Sequence, residues 1–232
     1  RSGAPRMTLL ALQNGTGFED DLRAILRERA EVRFGVSFAG ATMKAPGVVE
    51  DWGGEAIVPA GPPFEALAAA WTAAGLPARA LADVEVRRWE KILLNCFLNP
   101  FSALLEARNC ETIRPEWRPL RRAILKEARA VAEVRGVALP HEDELLESFE
   151  RRSLGSRNVN SMLQDLQRGR PTEIEFLNGA IVRLAARDQG QAPANAAVAE
   201  WIRRLERTPA DRSSELRQQA VADLLSRRPG LE

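Results

Sequence analysis

A lysine and two asparagines recur at every fourth residue of an otherwise apolar stretch. Lys91, Asn95 and Asn99 are the polar residues between positions 91 and 99. An α-helix stacks positions i, i+4 and i+8 in one row, and this row is much narrower than an ordinary solvated helix face. Burial disfavours the charged form of a lysine, so a lysine in a cleft can give its proton to a developing alkoxide. The row predicts a site for acid catalysis, with the wet face of an amphipathic helix as the alternative.

A second polar cluster lies between residues 161 and 173. Ser161 begins a short amphipathic segment, and Thr172 is a predicted N-cap with Glu173 in the first turn of the next helix. The helix dipole alone explains a carboxylate at that position. A functional role for Glu173 and a purely structural one therefore both stay open.

The segment Asn14-Gly15-Thr16-Gly17 has the form of a dinucleotide-binding turn, because it joins a predicted strand to a predicted helix. In such turns the pyrophosphate lies at the helix N-terminus. Here Asp20 takes the place of the third glycine, and two further carboxylates flank it. We predict a tight turn that is not a phosphate cradle.

Composition excludes several classes of protein. The 232 residues are 45% hydrophobic and 28% charged, with a net charge of +1, which fits a globular protein and argues against nucleic acid or an anionic membrane as partner. No apolar run approaches the ~18–20 residues that span a bilayer. Cys96 and Cys110 are too few for a disulfide scaffold and are expected to be reduced thiols in a cytoplasmic protein. His141 is the one histidine, which argues against a catalytic triad or a zinc site.

The first part of the chain has an α/β pattern. Val32 to Phe38 alternates like a strand, and Gly53-Gly54 lies between two apolar segments, which predicts a β-hairpin. Phe18 to Arg29 has the pattern of an amphipathic helix, and Pro62-Pro63 predicts the start of a helix that stops at Gly75.

From about Leu81 onward helical periodicity replaces the strand signals. Asn178-Gly179 resembles a hairpin turn, but it lies among apolar residues at helical spacing. We therefore predict a helix there, with the glycine permitting close approach of another backbone. Pro100 should kink or end the helix that carries Lys91. The last segment, Asp211 to Arg228, is predicted to be a solvated helix.

Taken together, these segments resemble the ketopantoate reductase (2-dehydropantoate 2-reductase) family. The similar segments come in the family's order: Leu12-Gln13-Asn14-Gly15-Thr16-Gly17, Gly40-Ala41-Thr42, Pro46-Gly47-Val48-Val49, Trp89-x-Lys91 with Asn95, Asn99-Pro100, Asn109, Ser161-Met162-Leu163-Gln164-Asp165, Thr172-Glu173-Ile174, Asn178-Gly179 and Pro193-x-Asn195. The resemblance extends to about residue 205.

The resemblance implies an α/β domain followed by an all-α domain. Residues 1–80 would be the C-terminal part of a Rossmann-type nucleotide-binding domain, and residues 81–232 a helical domain like the C-terminal domain of 6-phosphogluconate dehydrogenase, with the active site in the cleft between them.

The resemblance also implies an activity, the NADPH-dependent reduction of 2-dehydropantoate to pantoate on the way to coenzyme A. The implied roles are Lys91 as general acid, Glu173 as the residue that holds the substrate and orients the site, Asn95, Asn99, Asn109 and Ser161 as substrate-binding residues, and Asn14 beside the nicotinamide of the cofactor. Members of the family begin with a βαβ unit that carries a GxGxxG motif, and no such motif occurs in this sequence.

Two alternatives to ketopantoate reduction remain open. One is a related NAD(P)-dependent reductase of another 2-keto acid, or of an imine as in opine dehydrogenases. The other is a truncated helical module that binds a partner and has no catalytic activity. The expected ligand is a small 2-keto acid, with no metal, no nucleic acid and no membrane, and a homodimer is left open.

Overall fold

The computed structural model describes residues 7–208 and 213–227, apart from the side chain of Thr42. The described residues fall into two compact units. One comprises residues 7–14 and 18–91, and the other comprises residues 15–17, 92–208 and 213–227. The first unit mixes strands and helices and the second is helical, which confirms the predicted fold class. The two units divide between Lys91 and Ile92, whereas the loss of strand signals placed the predicted domain boundary between residues 80 and 81.

The strands of the first unit are β1 (Met7–Ala11), β2 (Ala30–Phe34), β3 (Val36–Ser37), β4 (Ala41–Ala45), β5 (Val48–Asp51), β6 (Ala56–Pro59) and β7 (Ala78–Leu81). Strands β1 and β2 are parallel, and β3, β6 and β7 form a second sheet in which β6 is antiparallel to β3 and parallel to β7. The helices are α1 (Glu19–Leu26), α2 (Pro62–Ala73) and the first part of α3 (Val84–Leu105). Val36, Ile57 and Val84 form a small core.

The predicted hairpin at Gly53-Gly54 is wrong. Strand β5 turns back on β4 around Pro46-Gly47, and β6 pairs with β3 and β7 instead. Gly47 has a φ of +79°, which suits a tight turn. Gly54 serves a different purpose, because a Cβ there would lie 2.4 Å from the carbonyl oxygen of Phe38.

The predicted strand Val32–Phe38 is divided at Gly35. Residues before it pair with β1, and residues after it pair with β6. A side chain at Gly35 would meet the carbonyl oxygen of Ile57 at 2.6 Å, so the change of partner requires glycine. Helix α1 covers only part of the predicted helix Phe18–Arg29, and a 3₁₀ turn (Arg27–Arg29) follows it.

The second unit contains the rest of α3 and the helices α4 (Arg118–Val134), α5 (Glu142–Leu154), α6 (Ser161–Gln167), α7 (Asn178–Arg187), α8 (Pro193–Glu206) and α9 (Ser213–Ser226). Short 3₁₀ turns occur at Asn109–Thr112, Pro115–Trp117 and Ile174–Phe176. Its core includes Phe97, Phe101, Trp117, Phe149 and Ile202, all almost fully buried.

Helix α9 corrects the prediction of a solvated final helix, although residues 211, 212 and 228 of that segment lie outside the described residues. Arg217, Ala220 and Leu224 are buried. Nε of Arg217 donates to the carbonyl of Ala103 at 3.0 Å, in the last turn of α3. Carbonyls at a helix C-terminus lack helical partners and attract cations, so α9 stabilises the end of α3.

In residues 7–208 and 213–227, no helix combines the length and the apolar character that crossing a bilayer requires.

Candidate active site

Lys91 lies on α3, and two oxygen atoms of the first unit hold its ammonium group. Its Nζ donates to Oδ1 of Asn14 at 2.7 Å and also to the carbonyl oxygen of Ser37. The ring of Phe38 lies on another side, with its centroid 5.7 Å from Nζ. Neutral acceptors and an aromatic face are partners that suit the ammonium form of lysine. Lys91 is half-buried and fixed in direction.

The turn that follows Asn14 depends on its glycines. Gly15 and Gly17 have φ values of +82° and +87°. The backbone N–H of Thr16 donates to the carbonyl of Phe176 at 2.8 Å, and a Cβ on Gly15 would lie only 2.2 Å from that oxygen. The predicted tight turn is therefore present. Its backbone lies against Phe176, and three carboxylates occupy the first turn of the helix that follows.

Asn95 and Asn99 belong to the second unit, on the part of α3 that continues past Lys91. Asn99 is buried and Asn95 is half-buried. Among the described residues, no group forms a hydrogen bond with either side-chain amide. The helix does not end at Pro100 but runs on to Leu105. Neither amide is therefore committed to a partner within the described part of the chain.

Asn160, the residue before Ser161, connects the start of α6 to Asn109. Asn160 is the N-cap of α6, and its Oδ1 accepts from the backbone N–H of Leu163 at 3.2 Å. Nδ2 of Asn160 donates to Oδ1 of Asn109 at 3.1 Å, while Nδ2 of Asn109 donates to Oγ of Ser156 at 3.3 Å. The amide of Asn109 therefore supports the N-terminus of α6, where the exposed residue Ser161 lies.

Glu173 is half-buried and precedes the 3₁₀ turn Ile174–Phe176. Oγ1 of Thr172 accepts from the N–H of Ile174 at 3.2 Å, but the N-cap position of this 3₁₀ turn belongs to Glu173 and no side chain caps the turn, so the predicted N-cap at Thr172 is wrong. The N–H of Thr172 donates to Oε1 of Glu206 at 2.7 Å, which fixes the turn to α8. The two hydrogen bonds of Thr172 position the backbone of Glu173.

Asn178-Gly179 forms the start of α7, which bears out the prediction of a helix at this dipeptide. A Cβ on Gly179 would lie 3.1 Å from the carbonyl oxygen of Ile174, so a backbone does approach closely there.

Several residues around these side chains have no signature in the sequence. Ser37 acts through its backbone carbonyl, which every residue type possesses. Asn160 resembles any other N-cap. Asn178 and Asn195 lie in segments that resemble the ketopantoate reductase family. Nothing in the sequence links them to each other or to Glu127.

Within residues 7–208 and 213–227, no group of three or more His, Cys, Asp or Glu side chains is placed to hold a metal ion. Cys96 is fully buried, and burial raises the pKa of its thiol far above the ordinary value. Because the thiolate is the reactive form of cysteine, this residue is chemically inert.

Residues 83–206 match the family model described as the C-terminal domain of PanE/ApbA ketopantoate reductases. The chain belongs to the ketopantoate reductase family. Six of the seven predicted site residues lie inside the matched range, and Asn14 lies outside it. The roles of all seven in the ketopantoate reductase reaction stay predictions.

Individual ketopantoate reductases agree with this assignment. A 2-dehydropantoate 2-reductase of Archaeoglobus fulgidus is 35% identical over 181 residues, which are 75% of this chain and 59% of that protein. The crystal structure of a PanE/ApbA family ketopantoate reductase from Ralstonia eutropha JMP134 has a TM-score of 0.76 at 33% identity, covering 86% of this chain and 66% of that one. The chain thus spans less than two thirds of either relative.

A third similarity concerns the fold alone. The ternary structure of D-mandelate dehydrogenase with NADH and anilino(oxo)acetate has a TM-score of 0.75 at 24% identity, covering 85% of this chain and 67% of that one.

Proposed function

We propose that this chain carries the substrate-binding and proton-donating part of an NADPH-dependent reductase that converts 2-dehydropantoate to pantoate, in the biosynthesis of pantothenate and coenzyme A. Membership of the ketopantoate reductase family supports this proposal. The observation that carries it is the fixed ammonium of Lys91, held by Asn14 and the carbonyl of Ser37.

Lys91 acts as the general acid. Reduction of a 2-keto group places negative charge on the carbonyl oxygen, and a positioned ammonium lowers the barrier by giving that oxygen a proton. Asn14 and Ser37 hold the donor in one direction, which limits the reorganisation needed before transfer. Asn95 and Asn99 bind polar groups of the substrate with their unused amides, and Ser161 and Asn109 serve the same site. Glu173 holds the substrate and orients the site.

The hydride comes from NADPH when it is bound. Asn14 lies beside the nicotinamide in this proposal, but the turn Gly15–Gly17 that follows it is not suited to hold the pyrophosphate. The turn Gly15–Gly17 packs on Phe176, and the three carboxylates that follow repel a phosphate.

The decisive experiment compares lysine variants of the native protein by NADPH oxidation with 2-dehydropantoate. Lys91→Ala should lower kcat by roughly 10²–10⁴, the range expected for loss of a general acid. Lys91→Arg should not restore it, because a guanidinium keeps its protons. Lys126→Ala is the matched control, since Lys126 is an exposed lysine on α4. A folded Lys91→Ala protein with normal kcat would show that the assignment is wrong.

Another 2-keto acid is the second candidate substrate, because the fold is shared with a dehydrogenase crystallised with anilino(oxo)acetate. A panel of 2-keto acids and imines in the same assay separates these possibilities, and a higher kcat/KM for another substrate would displace 2-dehydropantoate.

Binding of NADPH to the 232 residues alone tests the remaining alternative, a non-catalytic interaction module. Micromolar binding would exclude that module. A homodimer stays a prediction.

A further inference from the structure

Pro100 interrupts the hydrogen-bond ladder inside α3. Proline has no backbone N–H, so the carbonyl four residues earlier loses its helical partner. That carbonyl belongs to Cys96. Nδ2 of Asn178, the first residue of α7, donates to it at 3.3 Å. A side chain from another helix thus replaces the missing donor, on the turn of α3 that connects Asn95 to Asn99.

Asn178 is suited to this position by its two amide hydrogens. Its Nδ2 also donates to Oδ1 of Asn195 at 2.9 Å, so one nitrogen serves two acceptors. A serine or threonine hydroxyl has only one hydrogen to donate. The residue is fully buried, and its Oδ1 has no hydrogen-bond partner among the described residues. Because a buried acceptor without a partner is costly, the two donated bonds are what favour asparagine here.

Asn195 is in turn held by α4. Its Nδ2 donates to Oε2 of Glu127 at 2.7 Å and to the carbonyl of Ile124 at 3.2 Å. The carboxylate of Glu127 also accepts the backbone N–H groups of Ala194 and Asn195, at 2.8 and 2.9 Å. These two N–H groups lie in the first turn of α8 and have no helical acceptor. One continuous set of hydrogen bonds therefore connects α4, α8 and α7 to the interrupted turn of α3.

We propose that Asn178 is a positioning residue of the candidate site: it fixes the course of α3 at Cys96 and so directs the amides of Asn95 and Asn99. The part that concerns substrate rests on the proposed function, while the part that concerns α3 does not. Small displacements of groups that bind a substrate have large effects on binding and rate, so a loosened turn at Cys96 weakens the site without removing any group that touches the ligand.

The chain offers a rescue experiment. Asn178→Leu removes both donated bonds at similar volume, and Pro100→Ala supplies a backbone N–H that can reach the carbonyl of Cys96. We expect Asn178→Leu to accelerate amide hydrogen exchange between Phe97 and Ala103 by roughly tenfold or more, the effect of a buried acceptor left without a partner. In the Pro100→Ala background the same substitution should have a clearly smaller effect. Val137→Ala, a cavity substitution between α4 and α5, controls for general destabilisation, because it should not single out α3.

Pantoate affinity, measured by calorimetry on the same proteins, tests the link to the site. Asn178→Leu should weaken pantoate binding by roughly tenfold, and Pro100→Ala should recover part of the loss. Equal exchange in Asn178→Leu and Val137→Ala, or no rescue by Pro100→Ala, would overturn the positioning of α3. Altered exchange with unchanged pantoate affinity would overturn its connection to the site. If the unaltered protein binds no pantoate, the proposed substrate is wrong, and the exchange data still decide the role of Asn178. Should Asn178→Leu fail to fold, Asn178→Ser takes its place, because it retains one donor.

Discussion

Nζ of Lys91 and Oδ1 of Asn14 lie 2.7 Å apart, although 77 residues separate them in sequence. Asn14 follows β1 and Lys91 lies on α3, so a loop and a helix of the first unit meet at this hydrogen bond. In the proposed reaction Asn14 lies beside the nicotinamide and Lys91 gives the proton. One hydrogen bond then places the proton donor next to the position from which hydride arrives.

Asn14→Ala should therefore lower kcat for NADPH oxidation by about ten- to a hundredfold, because a hydrogen bond to a charged group contributes about 1.5–3 kcal/mol. Asn14→Asp should retain more activity than Asn14→Ala, since it keeps an oxygen acceptor for Nζ. Gln13→Ala is the matched control, as Gln13 is the exposed neighbour. Steady-state kinetics with 2-dehydropantoate measure the effect, and an unchanged kcat in Asn14→Ala would contradict it.

Gly15→Ala should destabilise the protein more than a positive φ alone explains. Gly15 and Gly136 both have positive φ, but a Cβ on Gly15 meets the carbonyl oxygen of Phe176 at 2.2 Å, whereas a Cβ on Gly136 meets nothing within 4 Å. Gly136→Ala should cost about 1–2 kcal/mol from backbone strain. Gly15→Ala should cost about 1–3 kcal/mol more from overpacking. Urea unfolding of both variants gives the difference, and equal losses would show that the contact with Phe176 relaxes freely.

The titration of Glu127 should make stability fall as pH rises. Burial raises the pKa of Glu127 above its ordinary value of 4.5, and hydrogen bonds from Asn195 and Ala194 oppose that effect without cancelling it. The folded chain then holds this proton to higher pH than the unfolded chain. The stability that this proton contributes is present below pH 4.5 and is lost as pH rises through the raised pKa.

The comparison with Glu127→Gln isolates this group. The free energy of unfolding of the unaltered protein minus that of Glu127→Gln should decrease as pH increases from below 4.5 and then become constant. Chemical denaturation over a pH series measures it. A difference that rises with pH in this window would mean that the pKa of Glu127 is lowered instead.

Arg217→Met should destabilise the helical unit by about 2 kcal/mol, because it removes a charged donor from a buried carbonyl. Nε of Arg217 bonds to Ala103, and NH1 bonds to Oγ of Ser213 at 2.8 Å. Arg227→Met is the control directly after the same helix, since Arg227 pairs with Asp223 at the surface and should contribute at most about 1 kcal/mol. Thermal unfolding of the two variants provides the test, and equal small losses would mean that α9 is as solvated as its sequence suggested.

Local sequence patterns predicted the helices and strands better than they predicted which other parts of the chain those elements contact. The periodicity after residue 81 gave a helical unit, and Pro62-Pro63 gave the start of α2. The pattern around Gly53-Gly54 gave a hairpin that does not exist, because two glycines between apolar segments suit either a turn or a close backbone contact. The close contact is with the backbone of Phe38, which lies in a different part of the chain, so the local pattern could not distinguish it from a turn. The final helix was misjudged for the same reason, since the partner of Arg217 is the carbonyl of Ala103, more than a hundred residues away.

The amino-acid sequence alone determined the α/β and all-α parts of this chain and the row of Lys91, Asn95 and Asn99, because helical spacing and apolar periodicity are local properties. Its ordered motifs also determined membership of the ketopantoate reductase family, which the family match confirms. Only the tertiary structure decided that Asn14 and the carbonyl of Ser37 hold Lys91, and that Asn178 completes the helix at Pro100. Those contacts join residues far apart in the chain, and a backbone carbonyl left open by a proline has no side-chain signature from which its partner could be read.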